Sequence, residues 1–123
     1  MKKWFCSSDE GLGASVKMLI YTAGYAIAKN NKDLAARCLP VANGILDTLV
    51  NDGENGALNA MLKEAMQELV EHASDDVVIQ GAVLAAIDSL GIDLSAADPP
   101  KLKNEAIKDL LKSFVAGVET AMK

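Results

Sequence analysis

The chain has 123 residues, half of them apolar and only 4% aromatic, and its net charge is −5. This length suits one domain, and the many alanines and other good helix formers favour packed helices over a β-sandwich. The acidic balance, without a concentrated basic face, argues against a nucleic-acid partner. We therefore predict one all-α domain over residues 1–123.

The first eight residues are predicted to form an N-terminal arm. This segment resembles the cleavage region of a bacterial lipoprotein, because two lysines and a short apolar segment precede Cys6. Only Trp4 and Phe5 separate Lys3 from Cys6, however, whereas a secretory signal needs roughly 7 to 15 apolar residues there. We expect the two aromatic side chains to insert into the core or into a neighbouring subunit.

The first predicted helix runs from about Leu12 to Lys29. Its uncharged segment, residues 18–28, is too short to cross a membrane, which takes about 20 apolar residues. Beside its core-facing stripe lies a second stripe that carries both tyrosines of the chain, and tyrosine is favoured at protein contacts. Packing of these tyrosines under the N-terminal arm is the alternative. With the aromatic residues of the arm, the stripe makes a predicted interface of Trp4, Phe5, Met18, Tyr21 and Tyr25.

The second predicted helix begins at Asp33 as N-cap and continues to about Leu49. Pro40 lies inside it and removes a backbone donor, so we expect the helix to be kinked or broken there. Cys38 falls on its apolar face. The chain has one other cysteine, Cys6, and the spacing of the two matches neither a disulfide framework nor a zinc site. Such sparse use of cysteine favours a reducing cytoplasm.

Three more helices are predicted after the turn-rich segment NDGENG. The third, from about Ala57 to Ala73, has a charged outer face. The fourth, capped by Ser74 and Asp75 and ended by Gly91, is apolar nearly all round, so it should lie at the centre of the bundle or be covered by another subunit. The fifth runs from about Pro100 to Met122. The predicted architecture is a compact bundle of four to five helices.

Charge is segregated along the chain. Residues 44–98 carry eleven acidic residues against the single base Lys63, while both ends are basic. Acidic and basic surfaces therefore face each other either within one subunit or between subunits.

Three groups of residues resemble chemical sites, and each has a simpler structural explanation. The acids around His72 (Glu64, Glu68, Glu71, Asp75 and Asp76) point away from the apolar stripe, and a second histidine is lacking, so we predict no metal site. Asp88-Ser89-Leu90 resembles the attachment triplet of acyl carrier proteins, but the carrier serine opens a helix and Ser89 closes one. NDGENG places Leu62 where a calcium loop needs glutamate.

We predict no catalytic residues, no cofactor and no enzymatic activity, because no polar set converges. The expected function is that of a small helical protein acting through protein contacts, as a homo-oligomer or with another protein. Two alternatives remain open. One is binding of an apolar small molecule between helices, and the other is association with a membrane surface through the first helix and the basic amino terminus.

Overall fold

The computed structural model describes residues 6–7, 11–49, 56–98 and 100–123. In these ranges the protein is all-α, which confirms the predicted helical bundle. The strands β1 (Cys6–Ser7) and β2 (Gly11–Leu12) form a short antiparallel pair in front of the first helix. Residues 1–5 of the predicted arm lie outside the described ranges. The five described helices are α1 (Ala14–Asn30), α2 (Lys32–Thr48), α3 (Gly56–His72), α4 (Val77–Ser89) and α5 (Asn104–Met122).

The N-caps of α2 and α4 differ from the predicted residues. Asn31, not Asp33, caps α2, and its Oδ1 accepts a hydrogen bond from the backbone N–H of Leu34 at 3.1 Å. Asp76, not Ser74 or Asp75, caps α4 through a 3.1 Å bond from the N–H of Ile79. Where several capping residues follow one another, the cap is the one whose side chain reaches an N–H three residues ahead.

Helix α2 is continuous from Lys32 to Thr48 and passes through Pro40, so the predicted break is absent. Pro40 and Ala36, the residue whose carbonyl loses its helical donor, are both exposed. Exposure of this turn lowers the cost of a carbonyl without a protein partner, because such a cost arises where water is excluded. A kink at this position remains a prediction.

The α1–α5 pair forms the centre of the fold, and glycines bring the two backbones together. A Cβ atom at Gly117 would lie 2.1 Å from the carbonyl oxygen of Tyr21, and one at Gly24 would lie 2.4 Å from the carbonyl oxygen of Phe114. Only residues without a side chain permit this approach. The β-pair is tied to the same unit, because the N–H of Leu12 donates to Asp109 Oδ2 at 3.1 Å.

A polar stripe on α3 holds the connection between α4 and α5. The buried Asn59 donates to the carbonyl of Leu102 and accepts from its N–H, both at 2.9 Å. One and two turns further along α3, Lys63 donates to the carbonyl of Ala96 and Gln67 donates to that of Leu94. Lys63 and Gln67 therefore hold this connection in place, although they lie beside the exposed acids of α3.

The same stripe accounts for the late start of α5, at Asn104 rather than Pro100. Leu102 gives both backbone groups to Asn59. The chain remains extended through Lys103, whose ψ is 158°. A tertiary contact thus overrides the helix-start signal of the two prolines.

Candidate functional site

The outer face of α4 is apolar and open to solvent. Its inner face is buried through Ile79, Val83, Ala86 and Ile87. On the other side Val77 is 84% exposed, Val78 61% and Leu84 44%. The prediction that this helix occupies the centre of the bundle is therefore wrong, and its other branch, cover by another molecule, stays a prediction. We define the α4 outer face as the exposed apolar residues Val77, Val78, Gly81, Leu84 and Ala85.

The predicted interface on α1 is only partly on the surface. Met18 is 65% exposed and Tyr25 is 38% exposed, with Lys29 Nζ placed 5.6 Å from the centre of the Tyr25 ring. Tyr21 is half-buried, and its backbone lies against Gly117. Trp4 and Phe5 fall outside the described residues, so the predicted five-residue interface stays a prediction.

An apolar cavity of about 330 Å³ lies inside the bundle. Its inner walls come from α1, α4 and α5, with Ile20, Val83 and Phe114 among them. It is open to solvent on one side, so it is a pocket rather than a closed internal void. It lies at the lower end of the range of about 300 to 1,000 Å³ that small-molecule sites occupy.

The cavity opens between α2 and α3. Its exposed lining residues all belong to those two helices, and they are Arg37, Val41, Glu68 and His72. Charged groups are thus confined to the mouth, while the interior is lined by aliphatic side chains, Phe114 and the sulfur-containing side chains of Cys38 and Met66. This arrangement separates an apolar interior from a polar entrance. An apolar pocket with a few polar groups at one end is typical of small-molecule sites.

Arg37 and Cys38 are neighbours on the α2 side of the cavity. Burial raises the pKa of the Cys38 thiol, and the positive charge of Arg37 opposes that shift. Among the described residues, Arg37 makes no hydrogen bond or ion pair. Its guanidinium is therefore available to an incoming anionic group.

Arg37 was not singled out in the sequence, although a signal for it exists. It is the sole arginine of the chain and stands in the otherwise uncharged stretch LAARCLPVA. Nothing in that stretch shows that the residue borders a cavity, because the opposite side of the mouth comes from α3.

The acids and the histidine of α3 do not form a metal centre. Glu64, Glu68, Glu71 and His72 are exposed, and His72 Nδ1 donates to the carbonyl of Glu68 at 2.8 Å. Across the described ranges, no group of three or more potential ligand side chains is placed to hold a metal ion.

The other two sequence motifs also have structural explanations or fall outside the description. Ser89 closes α4, and its hydroxyl donates to the carbonyl of Ala86 at 2.7 Å, so the likeness to a carrier protein fails where the helix would have to begin. The NDGENG segment lies almost wholly outside the described residues.

No protein-family model matches this chain, and no curated protein or solved structure matches it either. In the part of the chain that is described, none of the helices combines the length and apolar character needed to cross a membrane.

Proposed function

We propose that this protein acts through protein contacts and that its α4 outer face mediates self-association. The observation that carries the proposal is the exposure of Val77, Val78 and Leu84, which are 84%, 61% and 44% exposed. A solvent-facing helix normally carries polar residues on its outer side, as α3 does with Glu64 and Glu71. An apolar face of this kind is typical of an interaction surface.

Gly81 at the middle of the α4 outer face suits close contact with a second helix. A Cβ atom there would meet nothing within 4 Å, so the position is open. Inside the fold, Gly24 and Gly117 show that this chain uses glycine where two helix backbones approach closely. A second copy that packs its own α4 across Gly81 would bury the same residues on both subunits, as a two-fold interface requires.

The expected association is weak to moderate. Complete burial of the three exposed side chains contributes about 3 to 6 kcal/mol per subunit. Two subunits double this gain, and the loss of translational and rotational freedom opposes it by about 4 to 15 kcal/mol. Where the loss of freedom lies at the low end of this range, the α4 outer face supports a dimer with a dissociation constant of about micromolar at best, and a loss in the middle of the range cancels the gain.

Sedimentation velocity of the full chain, from micromolar to millimolar concentration, tests the proposal. We expect the mean mass to rise with concentration. The double substitution Val78→Glu with Leu84→Glu should abolish that rise, because it removes apolar area and places like charges on both sides of the contact. Both positions are exposed in the monomer, so its free energy of unfolding should change by less than about 1 kcal/mol.

Met18→Glu is the matched control, since it introduces the same charge at another exposed apolar position. Association that survives Met18→Glu and disappears in the α4 variant supports the proposal. A monomer at all concentrations would overturn it. Association lost only in Met18→Glu would place the interface on α1 and would also overturn it.

The proposal includes a non-enzymatic role in the cytoplasm. Cys38, a free thiol in the described part of the chain, supports a reducing compartment. Detection of the protein in the cytoplasmic fraction of its cell is the expected result, and recovery from a secreted or membrane fraction would contradict it.

A further inference from the structure

The apolar cavity and the α4 outer face are separate features on opposite sides of α4. Val83, Ala86 and Ile87 line it from the inner side of α4, whereas Val77, Val78 and Leu84 point to solvent from the other side. Self-association through the outer face leaves the cavity unfilled. What occupies it therefore has to enter through the mouth between α2 and α3.

We propose that the cavity binds the hydrocarbon part of a small amphipathic molecule and that Arg37 holds the anionic end of that molecule at the mouth. The interior accepts only apolar matter, because a polar group placed among these aliphatic walls would lack hydrogen-bond partners. Its volume of about 330 Å³ suits a molecule of medium chain length rather than a large lipid.

Arg37 determines the charge of the polar end. It is the lining residue that carries a positive charge, and no described residue pairs with it. A guanidinium binds a carboxylate with two parallel hydrogen bonds. Glu68 borders the same mouth and repels a second negative charge, so the structure favours one carboxylate over a doubly charged group.

The place of the cavity in the fold explains why the bundle leaves it open. The α1–α5 pair is locked at Gly24 and Gly117. The position of α3 is set by Asn59 and the rest of the polar stripe, which bind the connection between α4 and α5 rather than α2. The α3 wall of the mouth is thus anchored to the α4–α5 connection, and α2 and α3 do not close on each other.

Methyl NMR of the full chain with decanoate and with 1-decanol, each below the concentration at which it aggregates, tests the site directly. We expect both probes to shift the methyl resonances of Ile20, Val83 and Ile87, with decanoate binding more tightly. The resonances of Val77 and Val78 serve as the internal control and should not move. Shifts confined to Val77 and Val78, or no shifts at all, would overturn the proposal.

A filling variant supplies the second test. Ala65 on α3 lines the cavity, and Ala60 on the same helix is exposed and does not. Ala65→Phe should weaken decanoate binding at least tenfold, while Ala60→Phe should leave it unchanged. Equal binding by the two variants would overturn the proposal. If Ala65→Phe fails to fold, a Cys6→Ser variant decides the question. Bound decanoate should slow the alkylation of Cys38 by a thiol reagent, and an unchanged alkylation rate would overturn the proposal.

The role of Arg37 is tested by Arg37→Gln, with Lys32→Gln as the control on the same helix. Lys32 is exposed and does not line the cavity. Arg37→Gln should weaken decanoate binding about fivefold, as expected for a solvent-accessible ion pair, and should leave 1-decanol binding unchanged. Decanoate binding that is insensitive to Arg37→Gln would overturn the assignment of the anionic end. These readouts do not depend on oligomeric state, so they succeed or fail independently of the α4 proposal.

Discussion

Replacing Gly117 by alanine tests the helix crossing around which the bundle is built. The added Cβ would lie 2.1 Å from the carbonyl oxygen of Tyr21 and 3.0 Å from the amide nitrogen of Tyr25. Both neighbours are backbone atoms, so no side-chain rotation relieves the contact. The two helices must separate by roughly 1 Å or more to reach a normal van der Waals distance.

This separation sets the size of the effect. Overpacking a well-packed core costs typically about 1 to 3 kcal/mol, and a backbone clash belongs at the upper end of that range. Alanine in a helix interior is favoured over glycine by about 1 kcal/mol, which offsets part of the loss. We therefore expect Gly117→Ala to lower the free energy of unfolding by about 2 kcal/mol.

Gly44→Ala is the matched control, because Gly44 lies inside α2 and a Cβ there meets nothing within 4 Å. Without a clash, only the helix preference remains, and this variant should be stabilised by about 0.5 to 1 kcal/mol. The same chemical change at two helical glycines is thus expected to shift stability in opposite directions.

Thermal and urea unfolding followed by circular dichroism measures both variants. For a chain of this size the two melting temperatures should differ by about 10 °C, with the wild type between them. If Gly117→Ala melts at or above the wild-type temperature, α1 and α5 do not approach as closely as the structure shows. Equal shifts in the two variants would contradict the argument from backbone contact in the same way.

Three further predictions concern single side chains. Asn59→Ala should lower the free energy of unfolding by about 2 to 3 kcal/mol in urea titration, because both backbone groups of Leu102 lose their partner; a loss below about 0.5 kcal/mol would show that water replaces the amide. The Cys38 thiol, whose pKa burial raises, should alkylate more slowly at neutral pH than an exposed thiol, and its rate should keep rising beyond the pH at which an ordinary thiol levels off. A thiol of ordinary pH dependence would contradict the burial. The pKa of Asp93 is lowered first by the Ser95 hydroxyl and then by the Ser95 N–H, so this contact is present above the ordinary carboxyl pKa and is lost as pH falls through the lowered one. The Ser95 amide resonance should therefore report a titration midpoint below the ordinary pKa of an aspartate carboxyl. A midpoint at the ordinary pKa would contradict these hydrogen bonds.

The sequence alone determined the class of fold and most helix positions. Apolar residues recur at helical spacing in all five segments, and turn-forming residues separate them, so the number of helices follows from local preference. For the two-faced α3, the pattern predicts the charged outer face, and Glu64 and Glu71 are exposed while the apolar side of the helix is buried through Leu58 and Leu62. Local signals were less exact at helix ends, where neighbouring residues compete for one cap or a tertiary contact delays the start, as at Leu102.

Only the tertiary structure decided which neighbour each face meets. The close approach at Gly24 and Gly117, the structural role of Asn59, and the position of Arg37 at a cavity mouth all depend on residues far apart in the chain. The sidedness of α4 depends on them too. A pattern of apolar and polar residues records the average exposure of each position, and a helix that is apolar all round gives no sign of which side its own fold leaves uncovered. That choice is made by the packing of the other helices, because they determine where space remains.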